Sequence, residues 1–315
     1  MYKVLLTDNV NEAAVRVFDG YASIEAVPTG TLERERLKEA IASCDAIIVR
    51  SPTRVTADVI DAAPRLRVIG RVGAGTDNID VEAARRRGIT VLHSPGGGTV
   101  STAEHTIALI LSLARRIPEA HRSVTGGEWR RDALLGVELC GKTLGIVGLG
   151  RIGTEVARRM AAFEMRLMAV DPNVTADEAG ARGATLVDMD TLLRESDVIT
   201  LHVPLGADTM GMIGAREIEC MRDGVLIVNC CRGGVVQEAA LVAALDSGKV
   251  AGVGLDVYEC EPPGQSPLFS HPRSVFTPHL GTATVEAKVR VAVSVARAVA
   301  EALTAGAAGE GARRP

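Results

Sequence analysis

The sequence predicts an α/β fold of two doubly wound domains, each built on a parallel sheet. Two series of short apolar, β-branched runs alternate with amphipathic helical segments, one before residue 94 and one after residue 141. A glycine-rich turn joins a strand to a helix at the start of the second series. The length of 315 residues also suits about two domains, each with its own core.

Composition and charge exclude several classes of protein. Lys and Arg number 35 against 39 Asp and Glu, and no run of five like charges marks a surface for nucleic acid or anionic lipid. Aromatic residues make up 3%, which leaves little for base stacking. No apolar stretch reaches the ~20 residues of a membrane helix, and the first apolar run meets Asp8 too soon for a signal peptide. We expect a soluble protein with a small-molecule substrate.

The cysteines predict reduced thiols in the cytoplasm. They show neither C-x-x-C pairs nor the density of a disulfide framework. The neighbours Cys230 and Cys231 are interpreted as small packed residues rather than a redox pair. His105 and His202 lack the spacing of metal ligands and are interpreted as packed or capping residues, so no metal is expected.

The first series predicts strands over residues 4–7, 46–50, 67–71 and 90–93, separated by helices. No Pro/Ser-rich linker interrupts it, so this region forms one domain. A long helix follows, with Ser101 or Thr102 as N-cap, and it closes before Pro118. This helix could connect to a second domain.

The second series predicts strands over residues 142–147, 168–170, 198–201, 226–228 and 252–255, again alternating with helices. A last helix over 285–303 carries apolar residues at helical spacing and is long enough to return to the first domain. The Gly/Ala-rich tail 305–315 is expected to be flexible.

A dinucleotide-binding fingerprint opens the second series. The strand over 144–147 runs directly into Gly148-Leu149-Gly150-Arg151-Ile152-Gly153, and an amphipathic helix follows. Gly148 permits the tight turn, Gly150 the approach of a pyrophosphate, and Gly153 the packing of helix on strand. Asp171 ends the next strand 18 residues later, where its carboxylate can bind both ribose hydroxyls and favours NAD over NADP.

Two glycine-rich turns need to be distinguished. Glycines that serve packing alone are the alternative for the first, but strand, helix and terminal Asp171 together favour cofactor binding. The turn Gly73-Ala74-Gly75 also follows a strand, yet Asn78 occupies the position of the third glycine and no suitable acidic strand end follows. We interpret it as a substrate-facing loop.

Three polar residues follow predicted strands at the edge where parallel sheets bind ligands: Arg232, Glu261 and His279. Hydride transfer to a 2-keto acid needs a cation for the carboxylate, a proton donor for the alkoxide, and a partner for that donor. Arginine suits the first role, and histidine backed by glutamate suits the others. Each residue alone also fits a structural role, and their joint placement favours catalysis.

The runs GRVGAGTDNID, GKTLGIVGLGRIG, HVPL, NCCRGG, GLDVYECEPP and TPHLGTAT resemble the D-2-hydroxyacid dehydrogenase family, most closely its phosphoglycerate dehydrogenase branch. The resemblance implies a flavodoxin-like substrate domain of residues 1–99 and 283–304, a Rossmann NAD domain of residues 100–282, and a tail over 305–315. It also implies a cleft between the domains and a homodimer.

The resemblance also implies site residues. The catalytic ones would be Arg232, Glu261 and His279. NAD would be bound by Gly148, Gly150, Arg151, Ile152, Gly153, Asp171, Val203, Pro204, Thr209, Cys230, Cys231, Asp256 and Gly281, with Asp256 holding the nicotinamide carboxamide. Substrate would be bound by Arg50, Arg71, Gly73, Ala74, Gly75, Arg131, Arg232 and His279, with Arg131 acting across the dimer interface. The arginines at 50, 71 and 131 could equally be solvated.

Departures from the family pattern bear on the substrate. Gly98 stands where similar enzymes carry a substrate-contacting asparagine, and no C-terminal regulatory domain is expected. The predicted reaction is NAD-dependent interconversion of a D-2-hydroxy acid and its 2-keto acid, with 3-phosphoglycerate as the first candidate. Glyoxylate, hydroxypyruvate or a phosphonate analogue would use the same residues. A non-catalytic NAD(H)-sensing interaction protein of the same fold is the alternative of another class.

Overall fold

Two parallel β-sheets organise the chain in the computed structural model, which describes residues 1–73, 75–94 and 96–310, with only the backbone of 306–310. The chain divides into two units around these sheets. Unit 1 comprises Met1–Gly98 and Thr284–Pro315, and unit 2 comprises Thr99–Ala283. The roles predicted for them, substrate binding and NAD binding, stay predictions at this point.

Unit 1 contains five strands in the order β2-β1-β3-β4-β5, and all neighbours are parallel. Its strands are β1 (Tyr2–Leu6), β2 (Ile24–Pro28), β3 (Ala46–Val49), β4 (Val68–Arg71) and β5 (Thr90–His93). Its helices are α1 (Glu12–Val15), α2 (Arg34–Ile41), α3 (Ala57–Asp61), α4 (Val81–Arg86) and the long α12 (Val285–Glu310). This strand order is that of flavodoxin-like folds, as expected.

Unit 2 contains seven parallel strands in the order β12-β11-β10-β9-β6-β7-β8. They are β6 (Thr143–Val147), β7 (Arg166–Val170), β8 (Thr185–Leu186), β9 (Val198–Leu201), β10 (Val225–Asn229), β11 (Val250–Leu255) and β12 (Ser274–Phe276). The helices are α5 (Thr99–Ala114), α6 (Ile117–Thr125), α7 (Arg151–Met160), α8 (Ala176–Ala181), α9 (Met189–Glu195), α10 (Ala215–Cys220) and α11 (Glu238–Ser247). The strand order reverses between β6 and β9, the place where open sheets bind ligands. The predicted fold class is confirmed.

Glycines inside strands let the two long helices approach their sheets. A Cβ on Gly70 of β4 would lie 2.7 Å from a methyl group of Val299 on α12. In unit 2, Gly252 and Gly254 of β11 lie against Leu113 of α5 in the same way. Each long helix therefore covers one face of a sheet within its own unit. In the described part of the chain, no helix combines the length and apolar composition of a membrane span.

The structure differs from the predicted elements mainly at edges and helix ends. Strands β2 and β8 were not predicted, and each lies at the edge of its sheet. The helix predicted to begin at Ser101 or Thr102 begins at Thr99, and it ends at Ala114. Pro118 lies in the first turn of the separate helix α6, where a missing N–H is tolerated. Helix α12 continues to Glu310, beyond the predicted end at 303.

Candidate active site

Three adjacent strands of unit 2 present Arg232, Glu261 and His279 in the loops at their carboxyl ends. Arg232 follows β10, Glu261 follows β11 and His279 follows β12, which are neighbours in the sheet. Because parallel strands end at one edge, their loops lie side by side. The structure places all three residues at the predicted edge, while their catalytic roles stay predictions.

His279 and Glu261 form a hydrogen-bonded pair. The Nδ1 atom of His279 lies 2.7 Å from Oε2 of Glu261, and the two side chains are 50% and 38% exposed. Since a carboxylate only accepts, Nδ1 carries the proton in this pair, an assignment that follows from the hydrogen-bond network. Glu261 is held in turn by the backbone N–H of Tyr258, 3.2 Å from Oε1. The Nε2 atom of His279 is then the nitrogen that can exchange a proton with a substrate.

The backbone of His279 is left-handed, with φ of 53°. This conformation costs a non-glycine residue about 1–2 kcal/mol, so the surrounding structure must hold it. The carboxylate of Asp256 does so by accepting the N–H groups of Leu280 at 2.6 Å and Gly281 at 2.7 Å. The carbonyl oxygen of Asp256 also accepts the N–H of His279 at 2.9 Å. Asp256 therefore fixes the loop that carries His279.

Asp256 is 1% exposed and nevertheless charged. Burial acts to raise the pKa of this carboxyl, but hydrogen bonds from His105, Thr277 and Leu280 outweigh burial and hold the pKa below its ordinary value. Oδ2 accepts only the N–H of Gly281 among the described residues. That oxygen thus keeps a lone pair, and the role predicted for Asp256 with the carboxamide stays a prediction.

The turn that carries Arg232 is shaped by Asn229, which was not predicted as a site residue. The Oδ1 atom of buried Asn229 accepts the N–H of Cys231 at 3.0 Å, and its Nδ2 donates to the carbonyl oxygen of Arg232 at 2.9 Å. Nη1 of Arg232 donates to the carbonyl oxygen of Cys231 at 2.6 Å. A strand ending in asparagine before a polar turn is the signal that could have identified it.

Cys230 and Cys231 are buried thiols. Burial raises the pKa of Cys230 to about 12 and also raises the pKa of Cys231, so both remain protonated at neutral pH. Neighbouring thiolates poised for redox chemistry would need the opposite shift.

We expect Cys230 and Cys231 to resist alkylation in the folded protein. Iodoacetamide at pH 8 should label Cys140, Cys220 and Cys260, which are exposed, while the buried cysteines react only after denaturation. Peptide mapping by mass spectrometry checks this. Labelling of the 230–231 pair as fast as Cys260 would contradict the buried assignment.

The turn between β6 and α7 has the shape of a pyrophosphate cradle. Gly148 has φ of +94°, and a Cβ there would lie 2.7 Å from the carbonyl oxygen of His202. A Cβ on Gly153 would overlap the carbonyl oxygen of Gly148. A Cβ on Gly150 would meet nothing within 4 Å, and no side chain caps α7 at this residue. The open space beside uncapped helix N–H groups fits a dinucleotide phosphate.

The peptide groups of Leu149, in the middle of this turn, are held by three side chains. Asp171 accepts the Leu149 N–H at 2.9 Å, while Arg182 and Thr154 donate to the Leu149 carbonyl oxygen at 2.6 and 3.2 Å. Asp171 also accepts the N–H of Asn173, and each of its oxygens keeps a lone pair for a ribose hydroxyl. Arg182 at the end of α8 was not predicted, because no motif links it to the turn.

Replacing Arg182 with methionine is expected to weaken NADH binding on the order of five-fold, because a charged donor to the cradle is lost. NADH fluorescence titration measures the dissociation constant. Arg194→Met removes a similar side chain from the exposed face of α9, where it pairs with Asp190, and serves as the control. Equal affinities for the two variants would contradict a role of Arg182 in the cradle.

The remaining predicted NAD residues surround the same carboxyl edge. Arg151 and Ile152 form the first turn of α7. Val203, Pro204 and Thr209 follow β9, where Thr209 Oγ1 donates to the Pro204 carbonyl oxygen at 2.6 Å and accepts the Gly206 N–H at 2.8 Å. Their contacts with NAD stay predictions.

The predicted substrate residues fall in both units. In unit 1, Arg50 Nη1 donates to the Asp8 carbonyl oxygen at 3.3 Å, and Arg71 Nη2 donates to Ser51 Oγ at 2.9 Å. Arg50 directly follows β3, and Arg71 ends the neighbouring strand β4. Gly73 has φ of +142° and leaves room for the Arg71 guanidinium, which a Cβ would overlap. Gly75 is partly buried, Ala74 lies outside the described residues, and Arg131 of unit 2 is exposed.

The histidines, cysteines and carboxylates of the described residues form no set of metal ligands. Across the described ranges, no three His, Cys, Asp or Glu side chains gather as metal ligands would. His202 Nε2 lies 3.1 Å from Thr200 Oγ1, and His105 contacts Thr277 and Asp256.

Comparisons with known proteins identify relatives of the chain. Residues 107–281 match the family described as D-isomer specific 2-hydroxyacid dehydrogenase, NAD binding domain. D-3-phosphoglycerate dehydrogenase from Archaeoglobus fulgidus is 50% identical over 93% of this chain and 56% of the relative. The enzyme of that name from Bacillus subtilis is 43% identical over 95% of this chain and 56% of the relative. The chain thus spans about half the length of these curated relatives.

Solved structures share this fold over nearly the whole chain. A glyoxylate reductase from Paecilomyes thermophila has a TM-score of 0.87 and 35% identity, and the match covers 97% of this chain and 96% of the other. A D-lactate dehydrogenase from Aquifex aeolicus, complexed with NAD and lactic acid, has a TM-score of 0.84 and 30% identity with the same coverage. This chain is therefore similar in fold to a glyoxylate reductase and to a D-lactate dehydrogenase.

Proposed function

Because the chain belongs to the D-isomer specific 2-hydroxyacid dehydrogenase family, we propose that it is an NAD-dependent dehydrogenase interconverting a D-2-hydroxy acid and its 2-keto acid. The observation that carries this proposal is the Glu261–His279 hydrogen bond of 2.7 Å in loops beside the one that bears Arg232. This pairing provides a proton-exchanging imidazole and a carboxylate-binding cation at one sheet edge.

In the proposed reaction, His279 moves the proton. Its Nε2 takes the proton of the substrate hydroxyl during oxidation and returns it during reduction. Glu261 holds Nδ1, so the ring keeps one orientation, and its charge stabilises the imidazolium that forms. Bound NAD supplies the acceptor for the hydride.

Arg232 orients the substrate in the same proposal. Its guanidinium can bind both oxygens of the substrate carboxylate. Asn229 fixes the turn below it, so the arginine is held by the strand end rather than by a free loop. A substrate pinned by its carboxylate presents its C2 hydroxyl to His279.

We take 3-phosphoglycerate as the first candidate substrate. Two close relatives carry the name D-3-phosphoglycerate dehydrogenase. Arg50 and Arg71 lie at the carboxyl edge of the unit 1 sheet, where a phosphate would need cations. Glyoxylate reductase activity is the second candidate, supported by the structural similarity to that enzyme and by Gly98 in place of asparagine.

A substrate panel tests these proposals. Phosphorylated and unphosphorylated 2-hydroxy and 2-keto acids are each followed by reduced-nicotinamide absorbance, with NAD and NADP in parallel. We expect turnover with NAD and the highest kcat/KM for 3-phosphoglycerate. Arg50→Ala and Arg131→Ala should lower that value while sparing unphosphorylated acids. A protein that binds NADH yet turns over no acid would instead be an NAD(H)-sensing interaction protein.

We further propose a homodimer formed through segment 117–137 of unit 2. Five large apolar side chains of this segment are exposed, up to 83% for Trp129: Ile117, Val124, Trp129, Leu135 and Val137. A cavity of about 280 Å³ lies beside Leu135 and Val137. Monomers rarely expose apolar residues in such density, which supports an interface with a second copy.

The six unpaired cysteines support the proposed cytoplasmic location.

Trp129→Ala is expected to weaken the dimer on the order of 30-fold, because a buried interface tryptophan contributes about 2 kcal/mol or more. Sedimentation equilibrium measures the dissociation constant. Phe163→Ala removes another exposed aromatic side chain outside the segment and is the control. A wild-type protein that sediments as a monomer at micromolar concentration would contradict the dimer.

A further inference from the structure

Helix α5 places His105 beneath the loop that carries His279. The imidazole is 19% exposed, and its Nε2 atom lies 2.9 Å from Thr277 Oγ1 and 3.2 Å from Asp256 Oδ1. Thr277 is 172 positions away in the sequence, so this contact is a product of the fold. The predicted catalytic, cofactor-binding and substrate-binding residues do not include His105.

The direction of each hydrogen bond around His105 can be assigned. Thr277 Oγ1 lies 2.6 Å from Asp256 Oδ1 and donates to it, because an ionised carboxylate only accepts. The threonine hydroxyl then has no second proton to give to the imidazole. His105 must therefore carry its proton on Nε2 and share it between the hydroxyl and the carboxylate.

The shared proton matters because the Asp256 charge is almost fully buried. Four donors surround the carboxylate: His105, Thr277 and the N–H groups of Leu280 and Gly281. Losing one donor leaves a buried anion less satisfied, which is costly in a low-dielectric interior. The carboxylate can regain solvation only by moving, and the residues it holds would move with it.

Those residues define the conformation of His279. The loop from Thr277 to Gly281 is held by Asp256 on one side, and the hydroxyl of Tyr258 donates to the Thr277 carbonyl oxygen at 2.9 Å. Burial raises the pKa of Tyr258 to about 12, so this hydroxyl stays protonated. The left-handed backbone at His279 persists only while these contacts persist.

We infer that His105 is a positioning residue for His279, acting through Thr277 and Asp256 to hold the loop in its left-handed conformation. This inference rests on the proposed dehydrogenase function for its kinetic consequence. It assigns a role in proton transfer to a residue outside the predicted catalytic and cofactor-binding sets.

Three variants separate positioning from a general loss of stability. His105→Leu removes the donor and keeps the bulk. His105→Gln keeps an N–H donor at a similar reach. Thr277→Val removes the hydroxyl that relays the contact. His271→Gln, on a surface turn of the same unit, controls for replacing a histidine.

We expect His105→Leu and Thr277→Val each to lower kcat roughly 10-fold, with KM for the acid changed less than about two-fold. The double variant should lose little more than either single one, because both break the same path. His105→Gln should recover most of the rate. The inference would be overturned if His105→Leu and the wild type had equal kcat. It would also be overturned if kcat fell equally in the His105→Leu and His105→Gln variants, in step with their melting temperatures.

A readout independent of turnover distinguishes this inference from the proposed function. In protein labelled with ¹⁵N-histidine, the ring signals of His279, assigned with His279→Asn, should shift in His105→Leu and stay near their wild-type positions in His105→Gln. Unchanged His279 signals in His105→Leu would overturn the positioning role. A wild-type enzyme inactive with every acid would refute the dehydrogenase proposal alone, because the spectra still report the loop.

Discussion

Replacing His279 with alanine is expected to lower kcat by roughly 100-fold or more, because general acid–base catalysis of that size is lost with the imidazole. NADH binding should persist. The turn from Gly148 to Gly153, which follows strand β6, forms the cradle that fits the cofactor phosphates. The hydrogen bonds of this cradle do not involve His279. Steady-state kinetics with the best acid of the panel and NADH fluorescence titration measure the two quantities.

The left-handed backbone at position 279 provides a control for this experiment. Asparagine adopts that conformation more readily than alanine but cannot exchange a proton near neutral pH. His279→Asn should therefore be as slow as His279→Ala while retaining a melting temperature closer to wild type. An NADH dissociation constant that rises in step with the loss of kcat would contradict the assignment of His279 to proton transfer.

Replacing Arg232 with lysine is expected to lower kcat/KM roughly 100-fold, or about 3 kcal/mol of transition-state stabilisation, although the charge is kept. An ammonium group cannot form two parallel hydrogen bonds to a carboxylate, and the substrate would lose its fixed orientation. The lysine ammonium group also lacks a separate nitrogen to replace Nη1, which donates to the carbonyl oxygen of Cys231. Kinetics with a 2-keto acid measure the effect.

A neutral substrate analogue makes the Arg232 experiment specific. The wild-type enzyme should strongly prefer a 2-keto acid over the corresponding 2-keto amide, and Arg232→Lys should lose part of that preference, because the ammonium group keeps the charge but not the two parallel hydrogen bonds. Arg194→Lys on the exposed face of α9 should leave it unchanged. A full preference in the Arg232 variant would show that another group binds the carboxylate.

The sheets could be predicted from the sequence because their central strands are buried on both faces. Strand β3, for example, is fully buried along Ala46–Val49 and appears as a continuous apolar run. Strands β2 and β8 pair on one side only. The sequence of β2 contains Glu25 and Pro28, and β8 has only two residues, so neither resembles a continuous apolar strand. The break between α5 and α6 could not be predicted in the same way, because its left-handed residue, with φ of 53°, is Arg116 rather than a glycine.

The candidate site also contains some residues that could be predicted from the sequence and others that could not. Arg232, Glu261 and His279 could be predicted because their chemistry is distinctive and each follows a strand. Asn229 was missed although it ends a predicted strand just before a polar turn. Arg182 and the role of His105 could not be predicted, because they act through contacts that only folding creates. A histidine within an apolar helix is compatible with simple packing, and nothing in the local pattern connects it to Asp256.

The discontinuous composition of unit 1 has a consequence for synthesis on the ribosome. Unit 2 is one uninterrupted segment and can complete its sheet as soon as β12 emerges. The first sheet waits longer, since the side chains of Val4, Leu6 and Ile48 are covered by α12, which is translated after the whole of unit 2. Until that helix has been synthesised, the nascent chain exposes an apolar surface that chaperones would recognise. Termination of translation before residue 285 would leave this surface permanently exposed.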